Sequence, residues 1–113
     1  MTDNTDFTYP PFKSLNLPSD WKQFHAEQLA KISPCQREMA VEFLRGYFAN
    51  SPLAIEQIRD AARKDSQTWW SEYHMTWGMA VRNLLRRNGF DEKTLGVDNL
   101  DNVYVGLVEE SLL

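Results

Sequence analysis

Cysteine is nearly missing from this chain: Cys35 is the only one in 113 residues. A lone cysteine closes no internal disulfide and builds no thiolate metal cage, which removes disulfide scaffolds and zinc-ribbon sites. Glycine is scarce too, and the five present are scattered rather than gathered into a phosphate-cradling loop. No apolar run approaches the ~20 residues that a membrane-spanning helix requires. The first residues, Met1-Thr2-Asp3-Asn4-Thr5-Asp6, are acidic and polar. That is the opposite of a secretory signal's basic start and apolar run, so a cytoplasmic location is the expectation. Positive charge is in deficit, with 12 Lys and Arg against 16 Asp and Glu and a net charge of −4. Nucleic-acid affinity comes largely from neutralising phosphates, so a nucleic-acid partner is not expected. Arg82, Arg86 and Arg87 form the one local basic cluster.

Metal-ligand spacings are absent as well. There is no His-x3-His, Glu-x-x-His or Cys-x2-Cys pattern, and neither metal nor cofactor is expected. Cys35 paired with His25 or His74 would make a nucleophile and base, but nothing in the local sequence supports that pairing.

What the chain does have is aromatic residues: four Trp, four Tyr and six Phe, enough to build one real core in a single domain. Residues 1–17 carry Phe7, Tyr9, Pro10, Pro11, Phe12, Leu15 and Leu17 without helical spacing. Proline at 10 and 11 cannot sit in a helix interior, which predicts an extended arm. Either Phe12, Leu15 and Leu17 pack across the body, or the arm docks on a partner.

From residue 18 onward the punctuation is helical. Ser19 or Asp20 can cap a first helix carrying Trp21, Phe24, Leu29 and Ile32. Ser33-Pro34 then reads as a cap followed by proline at the first helical position, opening a second helix with Ala40, Phe43, Leu44, Tyr47 and Phe48. Asn50-Ser51-Pro52 repeats the device before a third, amphipathic helix bearing Leu53, Ile55, Ile58, Ala61 and Ala62. A fourth and longest helix is expected from Gln67 to Asn88, closed by Asn88-Gly89 with Arg86 and Arg87 in its last turn. A last helix is expected from about Asn99 to Leu112, although Val103-Tyr104-Val105 is β-prone and a strand competes there. The fold class that follows is all-α: a single-domain bundle of about five helices over 18–113, preceded by the extended arm.

The expected fourth helix is the most informative segment. Trp70, Tyr73, Trp77, Val81 and Leu84 form one core stripe, while Trp69 falls off it. His74, Gly78 and Arg82 recur every four residues and share one side. Glycine inside a helix is destabilising, so Gly78 implies close approach by a ring or a crossing helix. An inward Arg82 needs a counter-charge, and Asp98, Asp101, Glu109 and Glu110 are the candidates for a clasp to the last helix. Asn83 is expected to satisfy backbone groups of the 90–98 loop.

The stretch Glu72-Tyr73-His74-Met75-Thr76-Trp77-Gly78-Met79-Ala80-Val81-Arg82-Asn83 resembles a family of small, functionally uncharacterised bacterial and phage proteins. Their shared pattern is His, three residues, Gly, two residues, Ile or Val, then Arg-Asn. The continuation through Gly89-Phe90 and Leu95-Gly96-Val97 to Asn99–Tyr104 is similar, so the resemblance spans about residues 70–110. It implies a bacterial or phage context, with His74, Gly78, Arg82 and Asn83 as the matching positions and no assigned chemistry.

Three functional readings follow. The first is a non-enzymatic protein-binding module, such as a regulator or inhibitor of a host protein. Its contact candidates are Trp69, Met75, Arg86 and Arg87, and a homodimer is compatible with it. The second is a helix-turn-helix DNA-binding regulator built on residues 34–49 and 52–65, whose would-be recognition helix mixes Glu56 and Asp60 with Arg59, Arg63 and Lys64. The third is a small-ligand binder or enzyme centred on His74 and Arg82.

Overall fold

Proline and short polar side chains set the frame. In the computed structural model, which describes residues 20–112, six α-helices follow one another: α1 (Trp21–Leu29), α2 (Pro34–Ala49), α3 (Pro52–Lys64), α4 (Trp77–Arg87), α5 (Glu92–Leu95) and α6 (Tyr104–Ser111). Two single 3₁₀ turns, Ser71–Tyr73 and Leu100–Asn102, sit before α4 and α6. No strand occurs among the described residues, and the all-α class expected from the periodicity is the one observed. The arm expected at 1–17 lies outside the described residues.

The caps explain the helix starts. Asp20 accepts from the Gln23 amide at 3.1 Å, and Gln67 Oε1 accepts from the Trp21 and Lys22 amides at 2.7 and 3.3 Å. Side chains 47 residues apart thus satisfy the orphan donors of α1 together. Ser33 accepts from the Gln36 amide with Pro34 behind it, as its sequence suggests. Ser51 occupies the equivalent place before α3, but its side chain makes no capping bond. At the end of α4, Gly89 takes φ = +90°, so the Phe90 amide reaches back to the Leu85 carbonyl at 2.9 Å and the Gly89 amide to Arg86. This is a Schellman closure, which requires a residue comfortable in the left-handed region.

The last helix is the centre of the molecule. Tyr104, Val105, Gly106, Leu107, Val108 and Ser111 are all buried, and α6 packs chiefly against α2, then α1 and α4. Of the strand-prone Val103-Tyr104-Val105, Val103 sits in the turn before α6 and the other two begin the helix, with no strand among the described residues for them to pair with. Gly106 lets α1 come close: a Cβ there would lie 2.7 Å from Leu29 Cδ1.

The fourth helix departs from expectation. It begins at Trp77, and residues 67–76 form successive turns broken at Thr76, whose φ and ψ are −118° and −94°. Asp65 accepts from the Gln67 and Thr68 amides, and the Trp70 indole donates to the Gln67 carbonyl. These local side-chain bonds offer the backbone an alternative to the helical ladder. The expected stripe therefore does not carry across Thr76: Tyr73 is exposed and Trp70, Trp77 and Leu84 are half-buried. The core line of α4 is Gly78, Val81, Arg82 and Leu85 instead.

Candidate functional site

His74, Gly78 and Arg82 meet at one place despite the break between them. Arg82 is 6% exposed; its Nε lies 2.9 Å from Asp101 Oδ1 and its Cζ 4.9 Å from the centre of the Tyr104 ring. Its NH1 donates to His74 Nδ1 at 3.2 Å, and the Tyr104 hydroxyl lies 2.9 Å from the same nitrogen. A guanidinium cannot accept, so Nδ1 is the acceptor and the ring proton belongs on Nε2, which faces Asp101 Oδ2 at 3.8 Å. Gly78 gives room for this: a Cβ there would sit 2.6 Å from the Tyr104 hydroxyl oxygen. Of the four carboxylates open to Arg82 from sequence, Asp101 is the one that meets it. Asn83 is placed differently from expectation. It is exposed, and its Oδ1 accepts from Arg86 at 3.1 Å, the arginine that in turn binds Glu92 of that loop.

The electrostatics of this cluster hold it in one state. Burial, then the Arg82 charge, lower the His74 pKa against the opposing pull of Asp101. Burial is also the largest reason the Tyr104 hydroxyl is pushed up to about 12. A neutral imidazole, a neutral phenol, a guanidinium and a carboxylate thus satisfy one another. Neither His74 nor Arg82 lines any of five clefts found among the described residues. Among the described residues, no group of three or more His, Cys, Asp and Glu is arranged to hold a metal ion.

The proposed contact residues separate. Trp69 is corrected: it is 4% exposed, part of the core, and its indole N–H donates to Glu109 Oε2 at 2.8 Å. Because 67–76 is a series of turns and not α-helix, the spacing of a continuous α-helix does not tell where Trp69 points. Met75 stands out at 68% exposed. Arg86 binds Glu92 through two nitrogens at 3.4 and 2.8 Å, which lowers the Glu92 carboxyl to about 2. Arg87 is exposed.

The segments of the helix-turn-helix reading exist as α2 and α3, but the cations of α3 have partners within the chain. Arg59 donates to the Leu112 carbonyl at 2.7 Å, and Arg63 and Lys64 both pair with Asp60.

The feature that sequence reading passed over is the outward side of α2. Ala40, Val41, Leu44 and Phe48 are buried, yet Met39 and Tyr47 are 51% and 45% exposed. Cys35, Met39 and Tyr47 are exposed along one side, while Phe43 between them is half-buried, packed against the core and resting on Phe90 with ring centres 5.5 Å apart. Gly46 lies on that side with nothing within 4 Å of where its Cβ would be. The helix is thus weakly polarised between its two faces, unlike α3 and α4. Of the expected core stripe Ala40, Phe43, Leu44, Tyr47 and Phe48, Tyr47 is the member that faces solvent.

His25 is a second omission. It is buried among Trp21, Phe24 and Trp70 with ring centres 5.6–5.8 Å away, and burial lowers its pKa. Among the described residues no helix is long and apolar enough to cross a membrane. No known protein family matches the chain, and no curated protein or solved structure is significantly similar to it.

Proposed function

We propose that this chain is a non-enzymatic protein-binding module, a small bacterial or phage regulator or inhibitor that engages another polypeptide through the outward face of α2. The observation that carries the reading is the exposure of Met39 and Tyr47 on either side of Phe43, on a helix whose opposite face is fully committed to the core. Exposed apolar side chains scattered singly need no explanation, whereas a row of Met and aromatic side chains on a rigid helix is the composition of an interface centre. The polar residues argue the same way. Arg82 and His74 are held by Asp101 and Tyr104, which leaves the motif a structural role. The bacterial or phage context comes from the resemblance of residues 70–110.

The test is affinity capture from a bacterial lysate with the wild type beside the double variant Met39→Glu, Tyr47→Glu, both checked for helical content. The expected result is a stoichiometric partner, or a second copy, retained by the wild type and lost by the variant. Equal capture by both proteins, or neither a captured partner nor self-association, overturns the reading.

A further inference from the structure

We infer that residues 71–75 form a strap, hinged at Thr76 and latched by His74, that opens when the His74 imidazole takes up a proton. The segment is fastened at both ends. On one side Trp69 is buried and donates to Glu109, and the Trp70 indole donates to the Gln67 carbonyl. On the other, Trp77 begins α4. Between them Ser71, Glu72, Tyr73 and Met75 are exposed, and His74 alone is half-buried. Tyr73 lies along a shallow cleft beside Ile58 and Trp77 and stays 38% exposed. Among the described residues, every hydrogen bond or ion pair that ties 71–75 to a helix or to the turn before α6 passes through His74. The hinge is as local as the latch. Trp70 and His74 keep right-handed helical angles, and the chain leaves them at Thr76. A short 3₁₀ stretch abutting an α-helix is a common pivot, and rotation there leaves α4 intact.

The latch holds only a neutral ring. Nδ1 accepts from Arg82 NH1 at 3.2 Å. A proton on Nδ1 turns that acceptor into a donor and sets two positive groups face to face. The Tyr104 hydroxyl, 2.9 Å away, can turn to accept from the protonated ring, but the guanidinium has no lone pair to offer. Asp101 is the opposing charge. Its Oδ2 is 3.8 Å from Nε2, while its Oδ1 already holds Arg82 Nε. Among the described residues, Arg82 of α4, Asp101 of the turn before α6 and Tyr104 of α6 are the titratable or charged groups facing the ring. In the open strap the imidazole returns to water and to its ordinary 6.5, above its value in the closed one. The open form therefore binds the proton more readily, and opening grows as pH falls through that range. The Tyr104 hydroxyl and the Gly78 notch, both beneath the strap, are then uncovered.

Amide hydrogen exchange, followed by NMR on the full-length protein between about pH 7.5 and 5, tests this. After correction for intrinsic rates, protection at the Tyr73 and Thr76 amides should fall by about threefold or more. The Leu107 amide of α6 should keep its protection, and the fall should track the titration of the His74 ring signals. His74→Gln keeps an oxygen that can accept from Arg82 but takes up no proton, so both strap amides should show a flat profile. His25→Phe removes the other buried imidazole and should leave the step in place. A flat wild-type profile, a step that survives His74→Gln, or one that His25→Phe removes overturns the strap. So does a fall that Leu107 shares equally, because that is loss of the whole fold. If His74→Gln loses protection at Leu107 as well, the wild-type and His25→Phe profiles decide.

Discussion

Arg82 Nε sits 2.9 Å from Asp101 Oδ1, tying α4 to the turn that delivers the chain into α6. Arg82 is buried while the Asp101 carboxylate is partly open, so the pair lies on the boundary of the core. Asp101→Asn keeps the shape and removes the counter-charge. It should lower unfolding free energy by about 2 kcal/mol, as expected for a charged group losing its hydrogen-bonded partner. Adding Arg82→Met to that variant should recover part of the loss, since the unpaired charge goes with it. Urea denaturation of the wild type and both variants measures this; an unchanged midpoint for Asp101→Asn would show that the clasp holds nothing.

Two helical glycines, Gly78 in the first turn of α4 and Gly46 in α2, should respond to alanine with opposite signs. At Gly78 the new methyl would meet the Tyr104 hydroxyl at 2.6 Å and the Tyr73 carbonyl at 3.0 Å, and the carbonyl is backbone that cannot swing aside. Gly78→Ala should therefore destabilise by about 1–3 kcal/mol, the range for an overpacked core. At Gly46 the methyl enters open space, and Gly46→Ala should stabilise the fold by about 0.5–1 kcal/mol. Paired thermal melts at low concentration, where self-association is negligible, give both signs.

Much of the fold could be read from its punctuation. Ser33-Pro34, Asn50-Ser51-Pro52 and Asn88-Gly89 mark helix boundaries because proline and glycine act through their own backbone, whatever surrounds them. The Gly78 notch and the counter-charge for Arg82 were legible for a similar reason: each states a local deficit that something must fill. What could not be read was the break at Thr76, because it depends on tertiary and side-chain bonds that start with Asp65 and Gln67. A continuous helix puts Trp69 off the core stripe and Tyr73 on it, the reverse of what is found. On α2 the periodicity does not separate Tyr47, which is exposed, from its neighbour Phe48, which is buried.

Trp69 offers a direct check on its revised place. Trp69→Phe keeps most of the ring but removes the indole N–H that Glu109 accepts, leaving Lys22 at 3.5 Å as that carboxylate's remaining partner. It should cost about 1–2 kcal/mol, and Trp69→Ala about 3–5 kcal/mol through the cavity it opens. A surface anchor would show neither loss, so chemical denaturation separates the two placements.

The two histidines should give the protein a pH dependence of definite sign. Burial is the leading cause at both, and it moves His25 and His74 below their ordinary 6.5. Lys22 adds to the shift at His25 and Arg82 at His74, while Glu109 and Asp101 oppose. Both rings are thus neutral in the folded chain at pH values where the unfolded chain has begun to protonate them. The unfolded state binds more protons there, so stability increases with pH up to about 6.5 and levels off above it. Descending from neutrality, the urea midpoint should hold to about pH 6.5 and then decline. Glu92 contributes a separate loss, starting below its ordinary 4.5 and finishing near 2, as Arg86 loses its charged partner. That pair is exposed enough for the second effect to be small. His25→Phe leaves an aromatic ring among Trp21, Phe24 and Trp70 and removes the proton site. Its midpoint should fall less steeply than that of the wild type between about pH 6.5 and 5, with the remaining slope belonging to His74. A wild type whose midpoint is flat across that interval would mean that neither ring is held neutral by the fold.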